Sequence, residues 1–221
     1  MAYRRTERVV QRLNARRDSV VDAAKDIAAE AGLAAVQIVP VAARAGIAAG
    51  TVYRYFPAKA DLVAALIEAV SAREIAAITQ AAAKAPGPLS ALAAGIVTFA
   101  ARALRQRQLV FAVLAQPVDQ EIEGLRVECL KNLAAEFARL VVAAVDGKHL
   151  PDQDNALASV AILGTLVQGT MGPLTAPPAD DKAARDAVQA LALMVLRGLG
   201  VIDARARGLV VQAAWPEAVA A

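Results

Sequence analysis

Apolar residues recur along this chain at the spacing of one helix face. Val20, Ile27 and Ala31, for example, belong to a series at i, i+3, i+4 and i+7, and similar series recur towards the end of the chain. The pattern predicts about nine helices in an all-α fold. The predicted helices cover residues 12–31, 40–45, 49–56, 58–83, 89–105, 109–115, 121–145, 152–171 and 180–199.

The second and third predicted helices are too short to be stable alone, and Gly46 lies between them. Gly46 suits a tight turn because glycine adopts a positive φ without strain. Pro57 ends the third helix because proline disfavours the α conformation of the residue before it. Two such helices joined by a short turn are typical of a helix-turn-helix unit. Its core against the first helix would contain Val41, Ala42, Ala45, Ile47 and Val52.

The composition agrees with a helical protein and excludes several other classes. Hydrophobic residues make up 57% and aromatic residues 4% of the 221 positions. The chain is therefore neither disordered nor a typical β-sandwich. The single cysteine, Cys129, excludes an internal disulfide and is compatible with the cytoplasm, which is the compartment we expect.

The mean hydropathy of +0.44 raises the question of a membrane span. The longest uncharged segment, residues 155–179, contains Gly172-Pro173 and Pro177-Pro178. Its helical part is shorter than the roughly 20 residues that a bilayer requires. A buried helix of a soluble oligomer is the better interpretation, and no membrane partner is expected.

Positive charge is concentrated at the N-terminal end of the chain. Residues 1–59 contain ten Lys and Arg against five Asp and Glu, whereas residues 60–221 contain fourteen against sixteen. A basic segment on a slightly acidic body indicates a polyanion-binding domain attached to a domain with another task. A solvated basic tail is the alternative, because it has the same composition.

A recognisable motif runs from residue 41 to residue 62. It reads VAARAGIAAGTVYRYFPAKADL. This stretch resembles the DNA-binding signature of the tetracycline-repressor (TetR) family of bacterial transcription regulators, roughly I-A-x-x-A-G-V-S-x-G-T-[LV]-Y-x-Y-F-x-x-K-x-x-L. The resemblance covers the N-terminal quarter of the chain. It implies a helix-turn-helix domain followed by a variable, all-helical body that binds a ligand and dimerises.

The third predicted helix would enter the major groove of DNA, with its N-terminal residues at the base edges. Gly50 permits close approach of the backbone, Thr51 offers a hydroxyl and a methyl group, and Arg54 can bind guanine or phosphate. The resemblance implies phosphate-backbone contacts for the two tyrosines and the lysine. Packing is the alternative role for each tyrosine, and Phe56 is assigned to the core. The predicted DNA-binding residues are Arg44, Ala49, Gly50, Thr51, Tyr53, Arg54, Tyr55 and Lys59.

Four positions depart from the family pattern. The positions that usually hold a capping serine and a lysine in the recognition helix are Ala48 and Ala49. Gln37 replaces the usual Ser or Thr ahead of the second helix, and Pro40 replaces an acidic residue. Loss of a helix cap costs about 1 kcal/mol. The six arginines between residues 4 and 17 form a predicted arm that compensates by reaching an adjacent minor groove.

The predicted organisation has three parts: a DNA-binding domain with its arginine-rich arm over residues 1–59, an effector-binding and dimerisation domain over 60–203, and a C-terminal tail over 204–221. The resemblance implies that the last two long helices pair across a two-fold axis in a homodimer, and their sparse charge agrees with such burial. Aromatic and sulfur-containing side chains in the body favour a small hydrophobic effector, although such side chains also form ordinary core. The candidate pocket residues are Phe99, Phe111, Cys129, Phe137, Gln168 and Met171.

The sequence contains no recognisable catalytic or metal-binding motif. His149 is the only histidine, and one His with one Cys cannot form a common zinc site. We therefore expect no enzyme activity, no cofactor and no metal. The predicted function is a ligand-responsive repressor that binds a palindromic operator on double-stranded DNA as a homodimer and is released by a small-molecule effector. The alternative is an all-helical small-molecule or lipid-binding protein without a role on DNA.

Overall fold

The computed structural model of this chain is an assembly of helices. It describes residues 2–118, 120–172 and 175–215, without the side chains of residues 2–8 and 121. Over these ranges it contains ten α-helices and no β-strand. The helices are α1 (Ala2–Ala31), α2 (Ile38–Arg44), α3 (Ala49–Tyr55), α4 (Lys59–Ala83), α5 (Pro88–Arg105), α6 (Arg107–Leu114), α7 (Gln120–Asp146), α8 (Asn155–Met171), α9 (Asp181–Gly198) and α10 (Asp203–Gln212), and a short 3-10 turn covers Leu33–Ala35.

The predicted all-α fold is confirmed, and all nine predicted helices are present. Apart from the start of α1, their ends lie within three residues of the predicted ends. Helix α1 begins ten residues earlier than predicted, at Ala2. Residues 9–19 are exposed throughout, so no apolar face marks this part of α1 in the sequence.

Helix α10 lies in the segment that the sequence assigned to a tail. It is held by Ala206 and Val210, which are buried four residues apart on one face, and it contacts α9 and α5. Asp203 at its start also accepts a hydrogen bond from Arg207 Nε at 2.8 Å. Two buried residues are too weak a periodic signal to predict a helix.

Helices α4, α5 and α7 form the centre of the larger part of the molecule. Phe99 of α5 and Phe137 of α7 are fully buried and meet edge to face, with ring centroids 6.1 Å apart. Gly95 allows this close packing, because a Cβ there would lie 3.0 Å from Leu140 Cδ1 and 3.1 Å from Ile78 Cγ2. Among the described helices, none combines the length and the apolar character that a membrane crossing needs.

A buried ion pair joins α4 to α5. Arg102 donates from Nε and Nη2 to the two carboxylate oxygens of Glu74, both at 2.8 Å. The two side chains are only 8% and 4% exposed. Because each charge is the main partner of the other, the pair constrains how these two helices pack.

The N-terminal unit, α1 to α3, packs on the larger part through α1, which contacts α4 and α6. The loop after α1 adds a polar contact, because the Leu33 N–H donates to Gln116 Oε1 at 3.3 Å. Gly32 has a φ of 79° at this point, as its position after a helix predicts. A Cβ at Gly32 would also lie 2.7 Å from the Gln116 amide, so the two units meet closely here.

Candidate DNA-binding site

The third helix, α3, is anchored by apolar side chains from its inner face. Val52 is fully buried and Phe56 is 2% exposed, which confirms the assignment of Phe56 to the core. The guanidinium of Arg17 on α1 lies 5.3 Å from the centre of the Phe56 ring, within the range of a cation–π contact. The small unit therefore holds α3 in one orientation through α1 and α2.

The turn between α2 and α3 depends on Gly46, which has a φ of 66°. Such a value strains any residue with a Cβ. The Ile47 N–H donates to the Ala42 carbonyl at 3.0 Å, across the end of α2. The predicted helix-turn-helix geometry is therefore present, with α3 as the second helix of the motif.

The first turn of α3 is open to solvent on one side. Gly50 is exposed, Thr51 is half-buried, and Ala49 packs partly against the core. Ala48 precedes the helix and offers no side-chain acceptor to its first N–H groups. The Thr51 N–H donates to the Ala48 carbonyl at 2.8 Å, so only the N–H groups of Ala49 and Gly50 are left for an external acceptor.

The outer face of α3 carries a tyrosine and an arginine. Tyr53 is 52% exposed, and Arg54 beside it is also exposed. Tyr55, by contrast, is half-buried and packs partly against the core. Of the two tyrosines, only Tyr53 presents most of its ring to solvent.

Arg44, at the end of α2, is held by a residue of α1. Its two terminal nitrogens donate to the two oxygens of Glu30 at 2.9 and 2.7 Å, and Asp26 lies 4.0 Å away. The hydrogen bond from Arg44 lowers the pKa of the Glu30 carboxyl, and the same contact raises the pKa of Arg44. Sequence reasoning missed Glu30, because fourteen residues separate the pair and no local spacing connects them.

Lys59 begins α4, as predicted, and is half-buried. The Ala58 N–H donates to Asp61 Oδ2 at 2.9 Å and so caps the same end of the helix. Lys59 lines a cleft of about 280 Å³ with residues of the α1–α2 and α6–α7 loops. Its ammonium group is therefore placed where the two units of the molecule meet.

The predicted pocket residues lie in two kinds of environment. Phe99, Cys129, Phe137 and Met171 are at most 3% exposed within the core, and Phe111 packs partly against it. Burial raises the pKa of the Cys129 thiol, an effect that a hydrogen bond with Ser71 partly opposes. Gln168 is exposed and lines an apolar groove of about 420 Å³ between α7 and α8, beside Leu130 and Val167. The pocket assignment stays a prediction.

Residues 20–66 match the family model described as "Bacterial regulatory proteins, tetR family". Over 48 residues, the chain is 50% identical to the HTH-type transcriptional repressor KstR of Mycolicibacterium smegmatis. This match covers 22% of the chain and 24% of that relative. The chain therefore matches only about a quarter of the length of this relative.

Solved structures resemble the whole fold. A SmeT–triclosan complex superposes with a TM-score of 0.70 at 22% identity, covering 94% of this chain and all of that one. The transcriptional regulator FadR from Bacillus subtilis, in complex with stearoyl-CoA, gives 0.67 at 21% identity and covers 79% and 96% of the two chains. At these identities the likeness establishes the fold.

Proposed function

We propose that this chain is a regulator of the tetR family, whose model its residues 20–66 match, and that it acts as a ligand-responsive repressor that binds a palindromic operator in the cytoplasm. The main support is the outer face of α3, where Tyr53 and Arg54 are exposed while Val52 and Phe56 anchor the inner face. A helix held in this way can enter a major groove and offer its exposed side chains to bases and phosphates.

The protein acts as a homodimer in this proposal, with α8 and α9 as the contact face. Large apolar side chains are exposed there: Leu157 is 66%, Val160 60% and Met194 54% exposed. Gly164 lies on the same side of α8, and a Cβ there would meet nothing within 4 Å. Exposed apolar residues beside a small one suit close packing against the same helices of a second copy.

The effector in this proposal is small and hydrophobic. Two proteins with the same fold are known in complex with molecules that carry apolar groups, SmeT with triclosan and the transcriptional regulator FadR with stearoyl-CoA. In this chain, the groove between α7 and α8 is lined mainly by apolar side chains, and its volume of about 420 Å³ lies within the roughly 300–1,000 Å³ of small-molecule sites. The groove shares Val160 and Gly164 with the proposed dimer face, so in this proposal the second copy covers one side of it. Release from DNA requires that the effector bind the DNA-free arrangement more tightly than the DNA-bound one.

The test is fluorescence anisotropy with labelled DNA from upstream of the chain's own gene, at two salt concentrations. We expect specific binding that weakens steeply with salt, because each phosphate contact contributes about 0.9 to the slope of log K against log salt. Tyr53→Ala and Lys59→Ala should each weaken binding by about tenfold or more, since each removes a proposed phosphate contact.

Three controls accompany these variants. Lys131→Ala removes an exposed charge from α7 and should leave DNA binding unchanged. Tyr53→Phe keeps the ring and removes only the hydroxyl. Thermal unfolding then separates loss of contact from loss of fold. Folded Tyr53→Ala and Lys59→Ala proteins that bind DNA as tightly as the parent would contradict the proposal and favour the small-molecule-binding alternative.

A further inference from the structure

A third cleft, larger than the Lys59 cleft and the α7–α8 groove described above, also lies where the two units of the molecule meet. Its volume is about 850 Å³, and its walls come from α1, α4, the α5–α6 junction and the Pro177-Pro178 segment. Four helices each contribute one cation to it, namely Lys25, Arg73, Arg105 and Arg107. The carboxylates in its lining are Asp22 and Asp26, both on α1.

Both carboxylates already have cationic neighbours on the side of α1. Lys25 Nζ donates to Asp22 Oδ1 at 2.8 Å, and Asp26 lies 4.0 Å from Arg44, outside the cleft. Among the described residues, neither acid therefore forms an ion pair with Arg73 or Arg107 of the opposite wall. Positive charge from α4 and α6 faces the acids of α1 across the cleft.

Two arginines of this wall have buried N–H groups without a partner among the described residues: Nε of Arg73 and Nη1 of Arg107. The nearest carboxylate oxygen to Arg73 Nε, on Glu74, is 4.0 Å away, beyond hydrogen-bond distance. Arg107 is held in place because its Nη2 donates to the carbonyls of Gly172, at 3.2 Å, and Thr175. Leaving buried charged donors unsatisfied is unfavourable, so an acceptor in the cleft towards which these two side chains can turn would be stabilising.

Several features select an oxyanion as that acceptor. Guanidinium groups match the geometry of phosphate and carboxylate oxygens and form short, charge-assisted hydrogen bonds with them. The first turn of α6, from Arg107 to Leu109, also lines the cleft, and its N–H groups lack partners within the helix. We infer that this cleft binds a small molecule that carries a phosphate group, held between Arg73 and Arg107.

The position of the cleft connects its occupant to the DNA-binding unit. Helix α6 has Arg107 at one end, and just beyond its other end Gln116 accepts the hydrogen bond from Leu33 in the loop after α1. Lys25 and Ala29 of α1 line the same cleft. This part of the inference rests on the proposed function. A ligand bound in the cleft changes the affinity of the protein for DNA, because it bridges α1 and α6.

The first experiment measures binding to the full chain without DNA. Calorimetry is the main readout, and the emission of Trp215, the only tryptophan, is a second one because its ring lies 5.3 Å from the guanidinium of Arg105, which lines the cleft. The probes are inorganic phosphate, ribose 5-phosphate and ribose, with potassium chloride at matched ionic strength. We expect saturable binding of a phosphate-containing probe at millimolar concentration or below, and none with ribose or chloride.

The two phosphate probes distinguish the source of the group. Tighter binding of ribose 5-phosphate than of inorganic phosphate supports an organic phosphate ester, as the size of the cleft suggests. Saturable binding of inorganic phosphate, without binding of ribose 5-phosphate, supports the oxyanion site but overturns the assignment of its ligand as an organic phosphate ester. Saturation by neither probe overturns the site.

Variants then locate the binding. Arg73→Gln and Arg107→Gln should each weaken it about tenfold or more, whereas Arg139→Gln, which removes an exposed arginine from α7, should not change it. Arg73→Lys keeps the charge but not the planar fork, so we expect an intermediate loss. Thermal unfolding shows which variants are folded. Binding that is unchanged in folded Arg73→Gln and Arg107→Gln proteins would assign the anion to another surface and overturn the site.

The regulatory part has a separate readout. Anisotropy with upstream DNA, with and without ribose 5-phosphate at matched ionic strength, should reveal a change in Kd of about fivefold or more. This change should disappear in Arg107→Gln, because coupling between two sites requires binding at both. A DNA Kd that stays constant while the probe is bound overturns the coupling. Failure to bind DNA at all overturns the proposed function and leaves the anion result intact.

Discussion

At the scale of single residues, neighbours in the sequence have opposite environments. Tyr53 lies on α3 and Phe56, three positions later, directly follows the helix, yet Tyr53 is 52% and Phe56 2% exposed. The helical spacing and the family motif together predicted this difference. Arg44 behaves otherwise, because its orientation depends on Glu30, which comes from a separate helix. Contacts of this kind leave no periodic trace in the sequence.

Glu136 provides a prediction about pH. The hydrogen bond from Arg139 lowers the pKa of this carboxyl, against the opposing effect of burial, and a hydrogen bond from Thr79 Oγ1 at 2.8 Å lowers it further. A carboxyl with a lowered pKa in the folded state stabilises the protein at pH values above its unfolded pKa of about 4.3. This stabilisation is lost as the pH falls through the lower pKa of the folded state.

We therefore expect Glu136→Gln to lower the free energy of unfolding at pH 7, with a difference from the parent that shrinks between about pH 4.5 and pH 3. Urea unfolding at several pH values measures this difference. Glu128→Gln, whose carboxylate pairs with Lys131 on the exposed face of α7, controls for the loss of a surface charge. A difference that is the same at every pH would contradict the interpretation.

At the scale of helices, α4, α5 and α7 combine small residues with one buried charged contact. Gly95 lets α5 approach Leu140 of α7 and Ile78 of α4. The Glu74–Arg102 pair lies between α4 and α5, with both side chains almost fully buried. The apolar periodicity predicted these helices, but it did not indicate that two charges would face each other between them.

Removing one member of this pair should be strongly destabilising. Arg102→Met leaves the Glu74 carboxylate buried without its partner, at a cost of about 3–5 kcal/mol in the free energy of unfolding. Glu74→Leu combined with Arg102→Met should recover most of that loss, because no buried charge remains. Urea denaturation measures both, and Lys131→Met in an exposed pair should cost less than about 1 kcal/mol. A double variant as unstable as Arg102→Met alone would refute this account.

At the scale of the whole molecule, the chain has a small unit, α1 to α3, on a larger helical body. The exposed apolar residues of α8 and α9 belong to the body, far along the chain from the recognition helix. A palindromic operator needs two recognition helices about 34–36 Å apart. In our proposal, the distance between them is therefore set by the dimer face of the body.

This proposal predicts that charges on the α8–α9 face abolish both dimerisation and tight DNA binding. Leu157→Asp and Met194→Asp should each raise the dimer dissociation constant at least about tenfold, because a carboxylate would be buried in an apolar contact. Light scattering after size exclusion gives the mass, and anisotropy gives the DNA affinity. Val211→Asp on α10, where the side chain is 77% exposed outside this face, is the matched control. A parent protein that is monomeric at all concentrations would contradict the proposed face.

The sequence by itself determined the all-α class, nearly all helix ends and the helix-turn-helix motif. These depend on local properties, namely apolar periodicity, turn glycines such as Gly46 and the residues of one short motif. Tertiary structure alone decided that Glu30 holds Arg44, that Glu74 and Arg102 form a buried pair, and that cations from α1, α4, α5 and α6 surround one cleft. The physical reason is that these contacts join residues distant in sequence, and their geometry arises only when whole helices pack against one another.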